Sequence, residues 1–305
     1  MNIYKIILVL ILVTGGIFPD EKKGVCTEGD CENGKGVFVF DSGLDVYEGH
    51  FRDGSFHGFG KLTMKKFLPE SKEPVFANYE GYFEKDKFSG HGIYTQANGD
   101  ILKGEFKNNK LEGVGSAIVA DGYLESGTYY NGQFKNSKFH GLGFYHFQDN
   151  SYYVGEFVEG KMKQFGVFVD GDSFTLVESF SSEGRPEYGL VINKSQSDEY
   201  QILKAKKLLK KKFTKSDSEI HAGTVINNKY IGPGYLLNSK KQIYFGNFKN
   251  NKRNGMGIVI TKQGFIYAGN YKDDYLDGYG IKFDKEGDII YSGLWEKGKR
   301  VSASK

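Results

Sequence analysis

The feature that most restricts what this chain can become is a repeat. YEGHFRDGSFHGFG begins at Tyr47, YEGYFEKDKFSGHG at Tyr79, LKGEFKNNKLEGVG at Leu102, YNGQFKNSKFHGLG at Tyr130 and YVGEFVEGKMKQFG at Tyr153. The pattern returns as HAGTVINNKYIGPG at His221, YFGNFKNNKRNGMG at Tyr244 and YAGNYKDDYLDGYG at Tyr267, then as a truncated YSGLWEKGKR at Tyr291. Four steps, 79 to 102, 130 to 153, 221 to 244 and 244 to 267, are each 23 residues. Self-similarity at one short fixed period implies an array of like supersecondary units, each stabilised mainly by its neighbours.

Within a unit, aromatic, Gly and aromatic alternate, as in Tyr244, Gly246 and Phe248. A period of two builds a strand with one distinctive face. Turn residues follow at a constant offset: Asp53-Gly54, Asn108-Asn109, Asn136-Ser137, Glu159-Gly160, Asn250-Asn251 and Asp273-Asp274. Asn, Asp and Gly tolerate the positive φ of tight hairpin turns, so the chain reverses there. A second strand opens with GxG, as at Gly113 and Gly115 or Gly278 and Gly280, and runs to a second turn such as Asn98-Gly99, Asp121-Gly122, Asp149-Asn150, Gln263-Gly264 or Glu286-Gly287. One repeat is therefore one β-hairpin. The expected fold is all-β, an elongated single-layer antiparallel meander of tandem hairpins, about 18 strands and on the order of 85 Å long at ~4.8 Å per strand.

Gly makes up 42 of 305 residues and Pro only 5. Alternate glycines bare the backbone on one face, and rings of the neighbouring unit are expected to shelter it. The candidate packing rings are Tyr47, Phe51, Tyr79, Phe83, Phe106, Tyr130, Phe134, Tyr153, Phe157, Tyr244, Phe248, Tyr267, Tyr271, Tyr291 and Trp295.

YxGxF followed by GxxxGxG every 23 residues resembles the MORN repeat family, over about 47 to 166 and 221 to 298. Residues 29 to 43 resemble a degraded first unit, with Gly34 and Gly36 at the GxG position. The chain departs from the family in having Trp only at Trp295, Gln164 in place of a paired Gly, and few matching residues across 176 to 189. The resemblance implies scaffolding, self-association and membrane proximity. Enzymatic members of the family carry a separate catalytic domain, and no such domain is visible in this sequence.

Three irregular steps interrupt the array: 32 residues from Tyr47 to Tyr79, 28 from Leu102 to Tyr130 and 45 from Leu176 to His221. The last contains EYQILKAKKLLKKKFTK, residues 199 to 215, without Gly or Pro. Its residues are good helix formers, and Ile202, Ala205, Leu209 and Phe213 fall on one side of a helical wheel. A short amphipathic helix is expected here. Two roles stay open for it: packing on the sheet with solvated lysines outside, or contact with anionic lipid through Lys204, Lys206, Lys207, Lys210, Lys211 and Lys212.

Residues 1 to 18, MNIYKIILVLILVTGGIF, combine one Lys, a short apolar run and small residues, which reads as a secretory signal cut after Gly16, with an uncleaved anchor or buried strand as the alternative. The expected organisation is a signal over 1–16, an N-terminal cap over 17–46, a first array over 47–189, the Lys-rich insert over 190–217, a second array over 218–301 and a tail over 302–305. An exported chain is periplasmic, extracellular or attached to the outer surface. In that setting Cys26 and Cys31, the only two cysteines, are a candidate disulfide, with free thiols as the alternative.

Catalytic patterns are missing. There is no HExxH or GxSxG, and His57, His91 and His140 occupy repeat positions that carry Glu, Asn or Asp in other units. Lys and Arg number 41 against 38 Asp and Glu, a net charge of +3 that gives no basis for nucleic-acid binding. Neither cofactor nor metal is expected. The expected function is a non-enzymatic repeat scaffold for protein–protein contact or self-association in the cell envelope or exterior, with anionic-lipid binding through the Lys-rich helix as the alternative.

Overall fold

A computed structural model describes residues 22–66, 74–120, 127–171, 173–180, 186–194, 200–202, 211–215 and 220–301. The 24 regular elements in these residues are all β-strands. They pair in chain order, fifteen in one sheet from Gly24–Gly29 to Tyr200–Ile202 and nine in another from Lys211–Lys215 to Lys299–Arg300. Each pairing is antiparallel, so each sheet is an open meander. The chain divides into two compact units, parting between Phe139 and His140.

Hairpins form where the sequence places residues able to take positive φ. Asn108 and Asn109 have φ of 50° and 66°, Asn250 and Asn251 of 53° and 69°, and Asp273 and Asp274 of 48° and 75°. These twin left-handed residues match the right-handed twist of the flanking strands. Lys85-Asp86, Asn227-Asn228 and Lys297-Gly298 take the same conformation in other units.

The two glycines of GxG have different reasons to be glycine. Gly58 sits at φ 62°, where a side chain is strained. Gly60 has an ordinary φ, but the ring of Tyr47 fills the space a Cβ would need, both there and at Gly49. Tyr79 covers Gly81 and Gly92, Tyr153 covers Gly155 and Gly166, and Tyr244 covers Gly246 and Gly257 in the same way. The first ring of a repeat therefore shelters the backbone of its own hairpin, not the one next door as the sequence suggested. The physical reason is a register shift just after the first Gly, at Gly49/His50 or Gly246/Phe248. The tyrosine hydroxyl reaches this irregular stretch and donates to a carbonyl three residues on: Tyr47 to His50 at 2.8 Å, Tyr130 to Gln133 at 2.8 Å, Tyr244 to Asn247 at 2.8 Å.

Neighbouring repeats are joined instead by the fifth-position ring. Phe83 meets Tyr47 edge-on at 5.0 Å, Phe106 meets Tyr79 at 5.2 Å and Tyr271 meets Tyr244 at 5.3 Å. The opening of the second strand completes the cluster: Phe56 stacks on Tyr47 at 3.8 Å, Phe88 on Tyr79 at 3.6 Å and Phe139 on Tyr130 at 3.9 Å. Such pairs contribute about 0.5–1.5 kcal/mol each beyond area burial. Where Leu102 replaces the tyrosine, Leu111 leans over Gly104 and Gly115 instead.

The turn residues do a second job that local propensity does not show. The carboxylate of Asp86 accepts from the Phe56 amide, Asn109 Oδ1 from Phe88, Ser137 Oγ from Leu111, Asn251 Oδ1 from Tyr230 and Asp274 Oδ1 from Arg253. Each reaches back one repeat, so a turn clamps the preceding hairpin. Cations reinforce the packing in the same neighbourhood. Lys22 lies 3.9 Å above Phe56 and 2.9 Å from Asp86, Arg253 sits over Tyr244 and Tyr271 beside Asp274, and Arg300 sits over Tyr291 and Trp295.

The expected helix is not present among the described residues. Tyr200–Ile202 pairs with Pro186–Lys194, and Lys211–Lys215 pairs with Ile220–Ile226, from Lys215 opposite Ile220 to Lys211 opposite Thr224. Helix propensity amounts to a few tenths of a kcal/mol per residue, whereas an unpaired sheet edge offers a row of backbone donors and acceptors. Residues 203–210, which hold Lys204, Lys206, Lys207 and Lys210, lie outside the described residues, as do the expected signal over 1–16 and the tail over 302–305. Among the described residues no helix is long and apolar enough to cross a membrane, which leaves strand-built membrane proteins unaddressed.

Candidate interaction surface

A repeat presents two faces. The first carries the rings and covered glycines. The second carries the residue between the first aromatic and its Gly, and the residue following GxG. These positions line up across the strands as one row.

Within residues 22–139 that row reads Glu48, Lys61, Glu80, Ile93, Lys103, Ser116, each the register partner of the next. Within residues 140–301 the corresponding row reads Phe144, Val154, Val167 in one sheet and Phe245, Ile258, Ala268, Ile281 in the other. Val154, Val167, Phe245, Ile258, Ala268 and Ile281 are all 0% exposed. Their partner is the facing sheet. Strand Lys161–Asp170 approaches Ile243–Lys249 and Lys252–Ile260, the Phe144 and Phe283 rings are 5.9 Å apart, and Gly287 leaves room for the Phe144 ring. In this unit both faces of a meander are buried, as in a β-sandwich.

Among the described residues of 22–139 the row has no such cover. Phe59 is 49% exposed, Tyr82 51% and Ile93 43%, and the Phe59 and Tyr82 rings meet edge-on at 5.7 Å. An open trough of about 560 Å³ runs over this face, bounded by Lys35, Glu48, His50, Phe59, Lys61 and Glu80. The His50 ring nitrogen Nδ1 lies 3.1 Å from the Phe59 carbonyl, holding the imidazole along the strand. The trough is open to solvent rather than enclosed, with Gly36, Gly49 and Gly60 among the residues that line it. No group of three or more His, Cys, Asp or Glu suited to a metal ion occurs among the described residues.

The predicted ring positions fall on the first face. Tyr47, Phe51, Tyr79, Phe83, Phe106, Tyr130, Phe134, Tyr153, Phe157, Tyr244, Phe248, Tyr271 and Trp295 are buried, while Tyr267 and Tyr291 are partly buried against the last of these clusters. Burial pushes the phenols of Tyr47, Tyr79, Tyr244 and Tyr271 well above their ordinary range, and that of Tyr152 up to about 12. Cys26 and Cys31 are bonded, with an S–S distance of 2.08 Å, at the edge of the sheet in the first unit. Lys211 and Lys212 lie on a strand, and the other four candidate lipid-contact lysines are outside the described residues. Sequence reading missed Phe59, Lys61, Glu80 and Tyr82 because it followed the face with the glycines. The signal was there: between Tyr and Gly the units before Tyr130 carry Glu48, Glu80 and Lys103, whereas later ones carry Val154, Phe245 and Ala268.

Stacked hairpins with a sheltered glycine pair and a clamping turn define an all-β tandem-repeat protein. Seven segments match the MORN repeat, at 47–66, 79–101, 103–122, 130–152, 153–173, 244–262 and 267–289, and the chain is a MORN-repeat protein. It is 30% identical over 83 residues to alsin of Rattus norvegicus and 29% identical over 83 residues to alsin of Homo sapiens. Each match takes in 27% of this chain and 5% of the relative, so the chain spans a small part of those proteins. MORN repeats are in general protein- or membrane-binding modules.

Proposed function

We propose that this chain is an exported, non-enzymatic repeat scaffold that binds protein through the open second face of residues 46–118. One observation carries the reading. The face that is buried by a second sheet in residues 140–301 is left exposed in residues 46–118, where it is neither apolar enough to be core nor polar throughout. Exposed Phe59 and Tyr82 among Glu48, Lys61 and Glu80 have the mixture of aromatic anchors and charged surroundings found in non-obligate protein interfaces. The apolar start of the chain and the bonded Cys26 and Cys31 support an exported setting.

The test is a photoreactive residue at Lys61 in the producing cell, with adducts identified by mass spectrometry. Adducts to defined proteins that vanish in Phe59→Asp, and are not formed from the turn residue Lys285, support the reading; absence of any adduct from Lys61 overturns it. The same mass spectra report export, because the mature chain is expected to begin at Ile17. A chain retaining Met1 excludes cleavage at Gly16.

A further inference from the structure

We infer that the first face carries a binding site for a primary alkylammonium group, built from Phe38, Phe51, Phe56, Asp86 and the Gly54 carbonyl, and that Lys22 is its tethered ligand. The site lies on the opposite side of the sheet from the open trough, since Phe38 is the register partner of Tyr47. Lys22 Nζ is 3.9 Å from the centre of the Phe56 ring and 5.4 Å from those of Phe38 and Phe51. All three fall within the roughly 6 Å over which a ring face attracts a cation. The same nitrogen donates to the Gly54 carbonyl and, at 2.9 Å, to Asp86 Oδ1. The rings hold one another in place, Phe38 and Phe51 meeting Phe56 edge-on at 6.0 and 5.5 Å. Only 25% of the Lys22 side chain is left exposed.

The later repeats separate the seat from the residue that fills it. With the first ring as position one, position ten is Phe56, Phe88, Leu111, Tyr230 or Arg253, and the clamp on its amide is Asp86, Asn109, Ser137, Asn251 or Asp274 of the following repeat. Two of these five clamps are carboxylates. Asp274 faces Arg253, a cation supplied by position ten itself and placed over Tyr244 and Tyr271. Asp86 faces the uncharged Phe56, and its cation arrives from Lys22, ahead of the first strand. Rings and a carboxylate thus receive a cation whether or not the repeat supplies one, which is how a binding site behaves. Two oxygen acceptors at the nitrogen favour an ammonium with hydrogens to donate over a quaternary one. The Asp41 amide donates to the Lys23 carbonyl at 3.0 Å, fixing the backbone beside the ligand. While Lys22 is seated, outside amines are excluded; once it withdraws, the seat is open to the lysine side chain of another molecule.

Chemical rescue tests the site. In the full chain carrying Lys22→Ala, ethylammonium should bind with a dissociation constant of about 1–10 mM, seen as broadening and upfield shift of its proton resonances. The parent should bind it at least about tenfold more weakly, because Lys22 competes from within the same molecule. Adding Asp86→Asn to Lys22→Ala should weaken binding about tenfold while the Phe56 amide keeps an acceptor, as Asn109 provides for Phe88. Tetramethylammonium, with no hydrogen for the Gly54 carbonyl, should bind several-fold more weakly than ethylammonium. A folded Lys22→Ala chain that binds no ethylammonium at about 100 mM, binding equal to the parent's, binding indifferent to Asp86→Asn, or a preference for tetramethylammonium overturns the inference. Should Lys22→Ala fail to fold, the parent still answers. With limiting acetic anhydride, Lys22 should acylate at least about fivefold more slowly than Lys285, whose side chain is 70% exposed, and Asp86→Asn should remove most of that difference. Equal rates at Lys22 and Lys285 in the parent overturn the inference as well.

Discussion

Residues 46–118 and 140–301 are built from one repeat and differ in what lies against its second face. In both, Tyr or a substitute covers the glycine pair, fifth-position rings tie each hairpin to its neighbour, and turn residues clamp one repeat to the previous one. Glu80 in the first region and Val154 in the second occupy the same place in the motif, yet one is exposed and the other is 0% exposed. The first face therefore supplies the cohesion of the array everywhere. The second is free to vary, and its residues determine whether a stretch of repeats becomes part of a two-sheet core or a surface for something else.

The largest expected effect falls on the buried version of that face. Val154→Glu or Phe245→Glu places a carboxylate where no partner faces it and should cost at least about 4 kcal/mol, whereas Glu80→Val should stay within about 1 kcal/mol of the parent. Urea denaturation followed by circular dichroism measures both; equal losses at the two sites would erase the distinction between the regions. Next in size is the first face, where the regions should behave alike. Tyr79→Ala and Tyr153→Ala should each cost roughly 3 kcal/mol, and Tyr→Phe only about 1, as the hydroxyl bond to the carbonyl is lost but the ring stays. A large difference between Tyr79→Ala and Tyr153→Ala in the same titrations would mean that the second face also governs the first.

A pH titration sharpens the comparison without mutation. The folded-state pKa of Tyr79 in the first region, and of Tyr152, Tyr244 and Tyr271 in the second, is raised by burial above the ordinary phenol value. The neutral phenol is the favoured folded form, so the unfolded chain loses protons first as pH rises. Stability is complete below about pH 10 and declines from there through the folded values, about 12 for Tyr152. Absorbance at the phenolate band should show these rings ionising together with unfolding; free titration of all tyrosines near the ordinary value, with the sheet intact, would contradict their burial. The clamps should give a modest effect, comparable with the loss of a tyrosine hydroxyl. Asn109→Ala and Asp274→Ala each remove an acceptor from a backbone amide of the previous repeat and should cost about 1–2 kcal/mol, measurable as a shift in thermal midpoint. Asp274 should sit at the upper end, since Arg253 also loses its ion pair.

Much of the fold was legible without coordinates. Asn250-Asn251 or Asp273-Asp274 announces a hairpin because positive φ is a property of the residue and its immediate neighbours, and Tyr, Gly and Phe at spacing two announce a strand. The candidate surface was legible only in part. Glu48, Glu80 and Lys103 against Val154, Phe245 and Ala268 mark a change of face in the sequence, but not what covers the apolar set. The Lys-rich stretch was misread at Tyr200–Ile202 and Lys211–Lys215, because a helical wheel weighs only local preference and cannot register the backbone partners offered by Pro186–Lys194 and Ile220–Ile226.

The amino-acid order alone settled the hairpin unit, its turns, its period and the family, since all of these follow from φ preferences and side-chain alternation over a few residues. Only the tertiary structure determined that a tyrosine roofs its own hairpin, that each turn side chain binds the repeat before it, and that one stretch of second face is closed by a sheet while another is open. Those outcomes depend on where a register shift frees a carbonyl and on which distant strands approach within van der Waals contact, and neither is encoded in the spacing of a 23-residue motif.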